Sequence, residues 1–174
     1  MTASQPASAV IVRQIHYDDL APLVEMNNRA IPAVSELTVS SLRELVEEAL
    51  ACIVAELDGK PAGLLLCLKE GTTSYASPNY AWVSSKLPQF AYIDRIFVDE
   101  AARGLRIGEA LYDALARLQE TRGRPMVCEV NSRPPNPGSM RFHERLGFRP
   151  IGEMDHGDKA VVFLQRDHTD GQPS

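Results

Sequence analysis

One strand–turn–helix unit in the middle of the chain limits the fold more than any other feature. Residues 91–98 read AYIDRIFV, a run rich in β-formers. DEAARGLRIG and then GEALYDALARLQETRG follow directly. There Ile107, Ala110, Leu111, Ala114, Leu115 and Leu118 recur at helical spacing, and Gly123 is expected to stop the helix. A strand that feeds an amphipathic helix through a short turn can bury both apolar faces only in a layered sheet-and-helix architecture.

The flanking sequence extends that alternation. Val10 to Ile15 alternates as a short strand, and Asp18 is expected to cap a helix that ends near Ile31-Pro32. Ser40 or Ser41 is expected to cap a second helix, with Glu44, Glu47 and Glu48 on its wet side. Two apolar strands, Cys52 to Leu57 and Ala62 to Leu68, join through Asp58-Gly59, the strongest short hairpin signal. Residues 69–90 show no clear period and are expected to form a long loop, functional or mobile. Met126 to Val130 predicts a strand, SMRFHERLG a helix, and Phe148–Met154 with Ala160–Gln165 a closing hairpin. The result is an α/β (α+β) class with a mixed sheet in a single domain over 10–166, between a flexible N-terminus (1–9) and a flexible tail (167–174).

Composition removes several functions. A chain of 174 residues can bury most of its unfolded surface without a metal or disulfide staple. A net charge of −5 offers no phosphate-neutralising surface, so no nucleic-acid partner is expected. The three cysteines, Cys52, Cys67 and Cys128, sit in apolar runs without CxxC spacing and read as core residues of a reducing compartment, with no metal site. No stretch is long and apolar enough for a membrane span, and MTASQPASAV carries no signal-peptide pattern. A cytoplasmic protein without a membrane partner is the expectation.

The turn Arg103-Gly104-Leu105-Arg106-Ile107-Gly108 enters a helix N-terminus, where unpaired N–H groups and the helix dipole favour a diphosphate. Gly104 and Gly108 are expected to supply positive φ and close backbone approach, and Arg103 and Arg106 positive charge. By itself such a turn also suits plain helix packing. The chain has no GxGxxG with a following acid, no GxxxxGK[ST] and no GxSxG elbow, which argues against dinucleotide, P-loop and serine-hydrolase sites.

YIDRIFVDEAARGLRIGEALYDAL, followed by NPGSMRFHERLGF, resembles the GNAT superfamily of N-acetyltransferases. Asn136, Ser139, Phe142, His143, Glu144, Leu146, Gly147 and Phe148 fit its second signature. Arg106 departs from the first, standing where a glycine is expected. The resemblance implies a mixed, mostly antiparallel sheet of about seven strands flanked by about four helices and splayed between strands 4 and 5. It implies acetyl-CoA as cofactor, held by the backbone of Ile96, Phe97 and Val98, by Arg103, Gly104, Leu105, Arg106, Ile107, Gly108 and Glu109 around the pyrophosphate, and by Asn136, Ser139 and His143. The acceptor would be the amine of a small molecule; an acyl-CoA-binding module without turnover is the alternative. Many relatives pair, which leaves a homodimer open.

Asp94 is the candidate base: alternation puts Tyr92, Asp94, Ile96 and Val98 on one face and Arg95 on the other, and a carboxylate amid apolar residues is costly unless it has a role or a partner. A structural ion pair with an arginine is the competing reading. Tyr92 lies close to where some relatives carry a catalytic carboxylate. His143 stands where many carry a tyrosine acid, which implies protonation of the leaving thiolate, and Tyr112 is a lesser candidate. Tyr75, Tyr80, Trp82 and Glu36 are candidate acceptor-binding residues.

Overall fold

The structure, a computed structural model, describes residues 9–32 and 34–168. The elements run β1 (Val10–Gln14), α1 (Leu20–Asn28), α2 (Val39–Glu48), β2 (Ala51–Leu57), β3 (Lys60–Lys69), α3 (Pro78–Lys86), β4 (Ala91–Val98), α4 (Ile107–Arg117), β5 (Met126–Arg133), α5 (Pro137–Arg145), β6 (Arg149–Asp155) and β7 (Ala160–Arg166). Among the described residues the strands form one seven-stranded sheet in the order β1-β2-β3-β4-β5-β7-β6. Only β4 and β5 run parallel. None of these helices is long and apolar enough to cross a membrane.

Local chemistry explains the elements. Asp58 (φ 51°) and Gly59 (φ 79°) are both left-handed, as a two-residue turn matched to strand twist requires. Thr38, not Ser40 or Ser41, caps α2: its Oγ1 accepts from the Ser41 N–H at 3.0 Å, and the Ser41 Oγ accepts from the Thr38 N–H at 2.9 Å. At the start of α1 the helix-initiating carboxylate is Asp19 rather than Asp18; it accepts from the His16 N–H at 2.7 Å and pairs with Arg13 at 2.7 Å.

Two expectations are corrected. The stretch 69–90 is not a loop throughout, because Ser77 caps α3 by accepting from the Tyr80 N–H and Pro78 occupies its first turn. A start signal outweighed a weak period. And α4 ends at Arg117, well short of Gly123. The Thr121 hydroxyl donates to the carbonyls of Leu115 and Leu118 at 2.7 and 2.8 Å, drawing the chain into a 3-10 turn.

The sheet is covered on both faces. Ile107, Leu111, Tyr112 and Leu115 of α4 pack on one side with Ile53, Leu65, Ile93 and Cys128. Leu20 and Leu23 of α1, Leu42 of α2 and Tyr80 and Val83 of α3 pack on the other with Val54, Leu66 and Val127. Each fully buried leucine contributes about 2 kcal/mol. The three cysteines are buried and unpaired. The expected frayed ends lie mostly outside the described residues, but Asp167 accepts from Gln165 Nε2 at 2.8 Å and a His168 ring nitrogen contacts the Ala116 carbonyl at 3.2 Å.

Two irregularities in β4 create the site. Its pairing with β5 stops after Ala91–Met126 and Tyr92–Val127, so the strands diverge beyond that point. Its pairing with β3 skips a residue: Cys67 faces Ile93 and Leu66 faces Arg95, leaving Asp94 as the extra residue of a bulge. Simple alternation therefore fails. Ile93, Ile96 and Val98 face α4, and Tyr92 and Phe97 face α1 to α3. Asp94 and Arg95 share the α1 to α3 side, where they contact Tyr75 and Asn27.

Candidate active site

A cavity of about 780 Å³ opens where β4 leaves β5. Its floor is Ile96, Phe97 and Val98, and one end is the turn that leads into α4. In that turn Gly104 (φ +84°) and Arg106 (φ 58°, ψ 30°) are left-handed. A side chain in that conformation costs about 1–2 kcal/mol, which is why glycine is the usual occupant. Arg106 nonetheless holds the position. Among the described residues no side chain caps α4, and its first residues, Ile107, Gly108 and Glu109, whose N–H groups have no partner within the helix, border the cavity.

The charges there are loosely held. Arg106 pairs with Glu109 at 2.5 Å and Arg103 with Glu100 at 3.7 Å, and both guanidinium groups are largely exposed. Exposed pairs contribute about 0–1 kcal/mol, so a diphosphate can compete for both arginines. Gly108 corrects the sequence reading: it is helical, and a Cβ there would meet the Phe142 ring at 2.8 Å, so its role is to let α4 approach α5. Leu105 is 46% exposed and does not line the cavity.

α5 forms the opposite wall. Asn136 caps it, accepting from the Ser139 N–H at 3.2 Å, and Asn136, Ser139 and His143 all border the cavity. His143 is 3% exposed. Its Nδ1 lies 2.8 Å from the Ser139 carbonyl, which only accepts, so Nδ1 carries the proton and Nε2 accepts from the Tyr112 hydroxyl at 2.9 Å. Burial lowers its pKa and favours this neutral form. Tyr112 is completely buried and forms part of the core.

Two carboxylates lie on the α1 to α3 side of the diverging strands, and neither lines the cavity. Asp94 accepts from the Tyr75 hydroxyl and from Arg95 Nε at 2.6 Å, and its side chain is 3% exposed. The arginine expected on the far face is its partner, because the bulge turned both to one side. The second carboxylate, Glu129 on β5, was not singled out from sequence. It accepts from the Tyr92 hydroxyl at 2.5 Å and from Asn79 Nδ2 at 2.7 Å. Burial raises its pKa, and the nearby Asp94 charge adds to the rise. The signal existed: in MVCEV alternation puts Glu129 on the face opposite Met126, Cys128 and Val130, a lone carboxylate in an apolar strand.

The four proposed acceptor residues separate. Tyr75 and Glu36 border a second cavity of about 450 Å³, together with Arg95, Glu44, Glu47 and Glu48. Those three glutamates of α2 thus border a cavity as well as solvent. Tyr80 is a core residue whose hydroxyl donates to the Lys69 carbonyl at 2.6 Å and accepts from the Thr72 N–H at 2.9 Å. Trp82 stacks on Phe163 at 4.2 Å, outside both cavities. Tyr92 is 1% exposed and lines neither cavity; its hydroxyl donates to Glu129 and its ring lies 6.1 Å from that of Tyr75.

A splayed parallel strand pair, a free strand edge and a helix start without a side-chain cap, beside arginines, form a cavity suited in shape and charge to an elongated anionic ligand. The comparisons with known proteins give the family. The model of the acetyltransferase (GNAT) family matches residues 20–148, and the chain belongs to that family. Phosphinothricin N-acetyltransferase of Streptomyces viridochromogenes is 28% identical over 148 residues, covering 82% of this chain and 73% of that protein. An uncharacterized N-acetyltransferase of Methanocaldococcus jannaschii is 34% identical over 96 residues, 55% of this chain; the match spans only 37% of that relative's length. The crystal structure of Arabidopsis thaliana NAA60 in complex with acetyl-CoA superposes with a TM-score of 0.69 at 17% identity, over 91% of this chain and 99% of that one. Membership of an acetyltransferase family and a shared fold are what these comparisons establish.

Proposed function

We propose that this chain moves the acetyl group of acetyl-CoA to the amine of a small molecule by direct attack in the gap between β4 and β5. The observation that supports this most is the meeting, in one cavity, of the free β4 edge with the uncapped start of α4. Bound there, acetyl-CoA supplies an activated acyl carbon. Backbone N–H groups near Phe97 and Val98 are the donors placed to hold the developing oxyanion.

An amine of pKa near 10.4 is neutral in only about one molecule in 2,500 at pH 7, so its proton needs an acceptor. Of the two nominated routes, Asp94 or a water-relayed base, the geometry favours the relay, with Glu129 as its end. Asp94 is tied into an ion pair with Arg95 and a hydrogen bond from Tyr75, whereas Glu129 has neutral donors only, lies two residues past the last β4–β5 pair and has its pKa raised by burial. His143 could serve as the acid only by releasing the Ser139 carbonyl or the Tyr112 hydroxyl. A thiol pKa near 8.5 makes the thiolate a tolerable leaving group at neutral pH, so we assign His143 to holding α5 in place. The loop before α3 carries Tyr75 to Asp94 and crowds the acceptor side, which favours a small amine over an extended peptide.

Thiol release from acetyl-CoA with a panel of small primary amines and short peptides tests this reading. Release is expected with a small amine, and Glu129→Gln is expected to lower kcat by about 10²-fold or more and to remove the acidic limb of the pH profile. Saturable coenzyme binding by calorimetry without release for any acceptor would replace the reading with a binding module.

A further inference from the structure

Asp94 sits where two walls of the acceptor side meet. From one direction comes Tyr75, in the loop between β3 and α3, whose hydroxyl donates to one carboxylate oxygen. From the other comes Arg95, whose Nε donates to the second oxygen at 2.6 Å and whose Nη1 donates to Asn27 Oδ1 at 3.0 Å. Asn27 is 1% exposed, near the end of α1. Its amide nitrogen donates to the Ser35 carbonyl at 2.9 Å and to Asn28 Oδ1 at 2.9 Å. Asn28 in turn holds both backbone groups of Leu37, at 2.8 and 2.9 Å. The chain on either side of this anchor forms walls: Arg29, Ala30 and Val34 border the large cavity, and Glu36 and Leu37 the smaller one, which Tyr75 and Arg95 also line.

Resting on the transferase reading above, we propose that Asp94 is a positioning residue: it ties the stretch after α1 and the loop before α3 into one wall that sets the affinity for the acceptor amine. Three features support this role. Both carboxylate oxygens are engaged and one of them is held by a guanidinium, whereas both donors to Glu129 are neutral. The bulge that inserts Asp94 also turns Arg95 onto the same face, so a single backbone irregularity supplies both the hub and one arm. And the contacts at Asp94, Arg95 and Asn27 run through side chains with little exposure, where a charge-assisted hydrogen bond is stronger than a neutral one and an orphaned partner is costly.

The test is steady-state kinetics with the best amine of the panel, joined to hydrogen exchange. Asp94→Asn keeps an acceptor for Tyr75 but removes the charge that holds Arg95. It is expected to raise the acceptor KM about tenfold, change kcat less than about threefold, leave the acetyl-CoA KM alone and preserve the acidic limb of the pH profile. Tyr75→Phe and Asn27→Ser, which cut one arm each, are expected to raise the same KM, and each is expected to add little once Asp94 is Asn. Amides in residues 34–37 and 70–77 should lose protection together in Asp94→Asn. A collapse of kcat by 10²-fold or more with loss of the acidic limb would make Asp94 the base and overturn the proposal. Unchanged exchange in either segment would also overturn it, and that readout stands even if no amine is turned over, an outcome that would instead sink the transferase reading.

Discussion

Gly63 offers the sharpest test of how the sheet holds the coenzyme turn. It lies on β3 opposite Val98, and a Cβ built there would sit 3.0 Å from the Phe97 carbonyl oxygen, 3.1 Å from Ile107 Cγ2 and 3.5 Å from Leu111 Cδ1. The missing side chain is thus what lets the start of α4 rest on the sheet directly behind the free edge of β4. Gly63→Ala should return about 0.5–1 kcal/mol of chain entropy in a strand. Against that, forcing a methyl group into packed backbone costs about 1–3 kcal/mol. The net expectation is a loss of about 1 kcal/mol, which for a chain of this size lowers Tm by about 2–4 °C. Because the first contact is with backbone, relief has to come from movement of β4 or α4, so acetyl-CoA affinity should fall about fivefold, equivalent to about 1 kcal/mol. Ile107→Leu removes the γ2 methyl while conserving volume, so a double-mutant cycle should show a favourable coupling of at least about 0.5 kcal/mol. Differential scanning calorimetry and coenzyme titration read both quantities. A Gly63→Ala protein with raised Tm and unchanged coenzyme affinity would refute the claim that this contact seats the turn.

Other expectations follow from the same geometry. Arg106→Gly relieves about 1 kcal/mol of left-handed strain but gives the unfolded chain about as much freedom, so Tm should move by only a few degrees. If Arg106 grips a phosphate, coenzyme Kd should rise about tenfold with a shallower salt dependence, and an unchanged Kd would remove it from the site. His143→Phe removes the ring nitrogen that accepts from the buried Tyr112 hydroxyl and leaves it only the Cys128 sulfur, so stability should drop by about 0.5–1.5 kcal/mol while kcat falls less than tenfold; a 10²-fold loss of kcat at unaltered Tm would restore its role as acid. The hydrogen bonds from Arg13 hold the Asp19 carboxyl below its ordinary value of 3.8. The unfolded state then binds more protons near that pH, so the pair's contribution is complete above 3.8 and vanishes as pH falls through the lowered value. Urea midpoints of Asp19→Asn should accordingly lie below the parent at pH 7 and converge with it in acid; a constant gap would contradict the linkage.

What could be read from sequence divides along physical lines. The strand–turn–helix unit, the Asp58-Gly59 hairpin and the second signature helix rest on local rules, and local rules decide local structure. The turn that ends the large cavity was legible for that reason, since it is built from consecutive backbone: of the turn residues named, only Leu105 misses the cavity. The acceptor end was not, because it is assembled by long-range events. Period-two alternation assumes an unbroken ladder, and the bulge at Asp94 breaks it by one residue, enough to exchange the face of Ile96 for that of Arg95. Glu129 carries the same signal that nominated Asp94, but its meaning depends on Tyr92 and Asn79, one on a neighbouring strand and the other on a helix hidden in an aperiodic stretch. Tyr80 and Trp82 mislead in the opposite sense, since aromatic content marks a packed cover as readily as a pocket, and only the partners of their polar atoms separate the two. A carboxylate's role is thus set less by its strand position than by which donors the fold brings to its two oxygens. An arginine and a tyrosine hold Asp94 in an ion pair, whereas the donors to Glu129, a buried tyrosine and an amide, are both neutral.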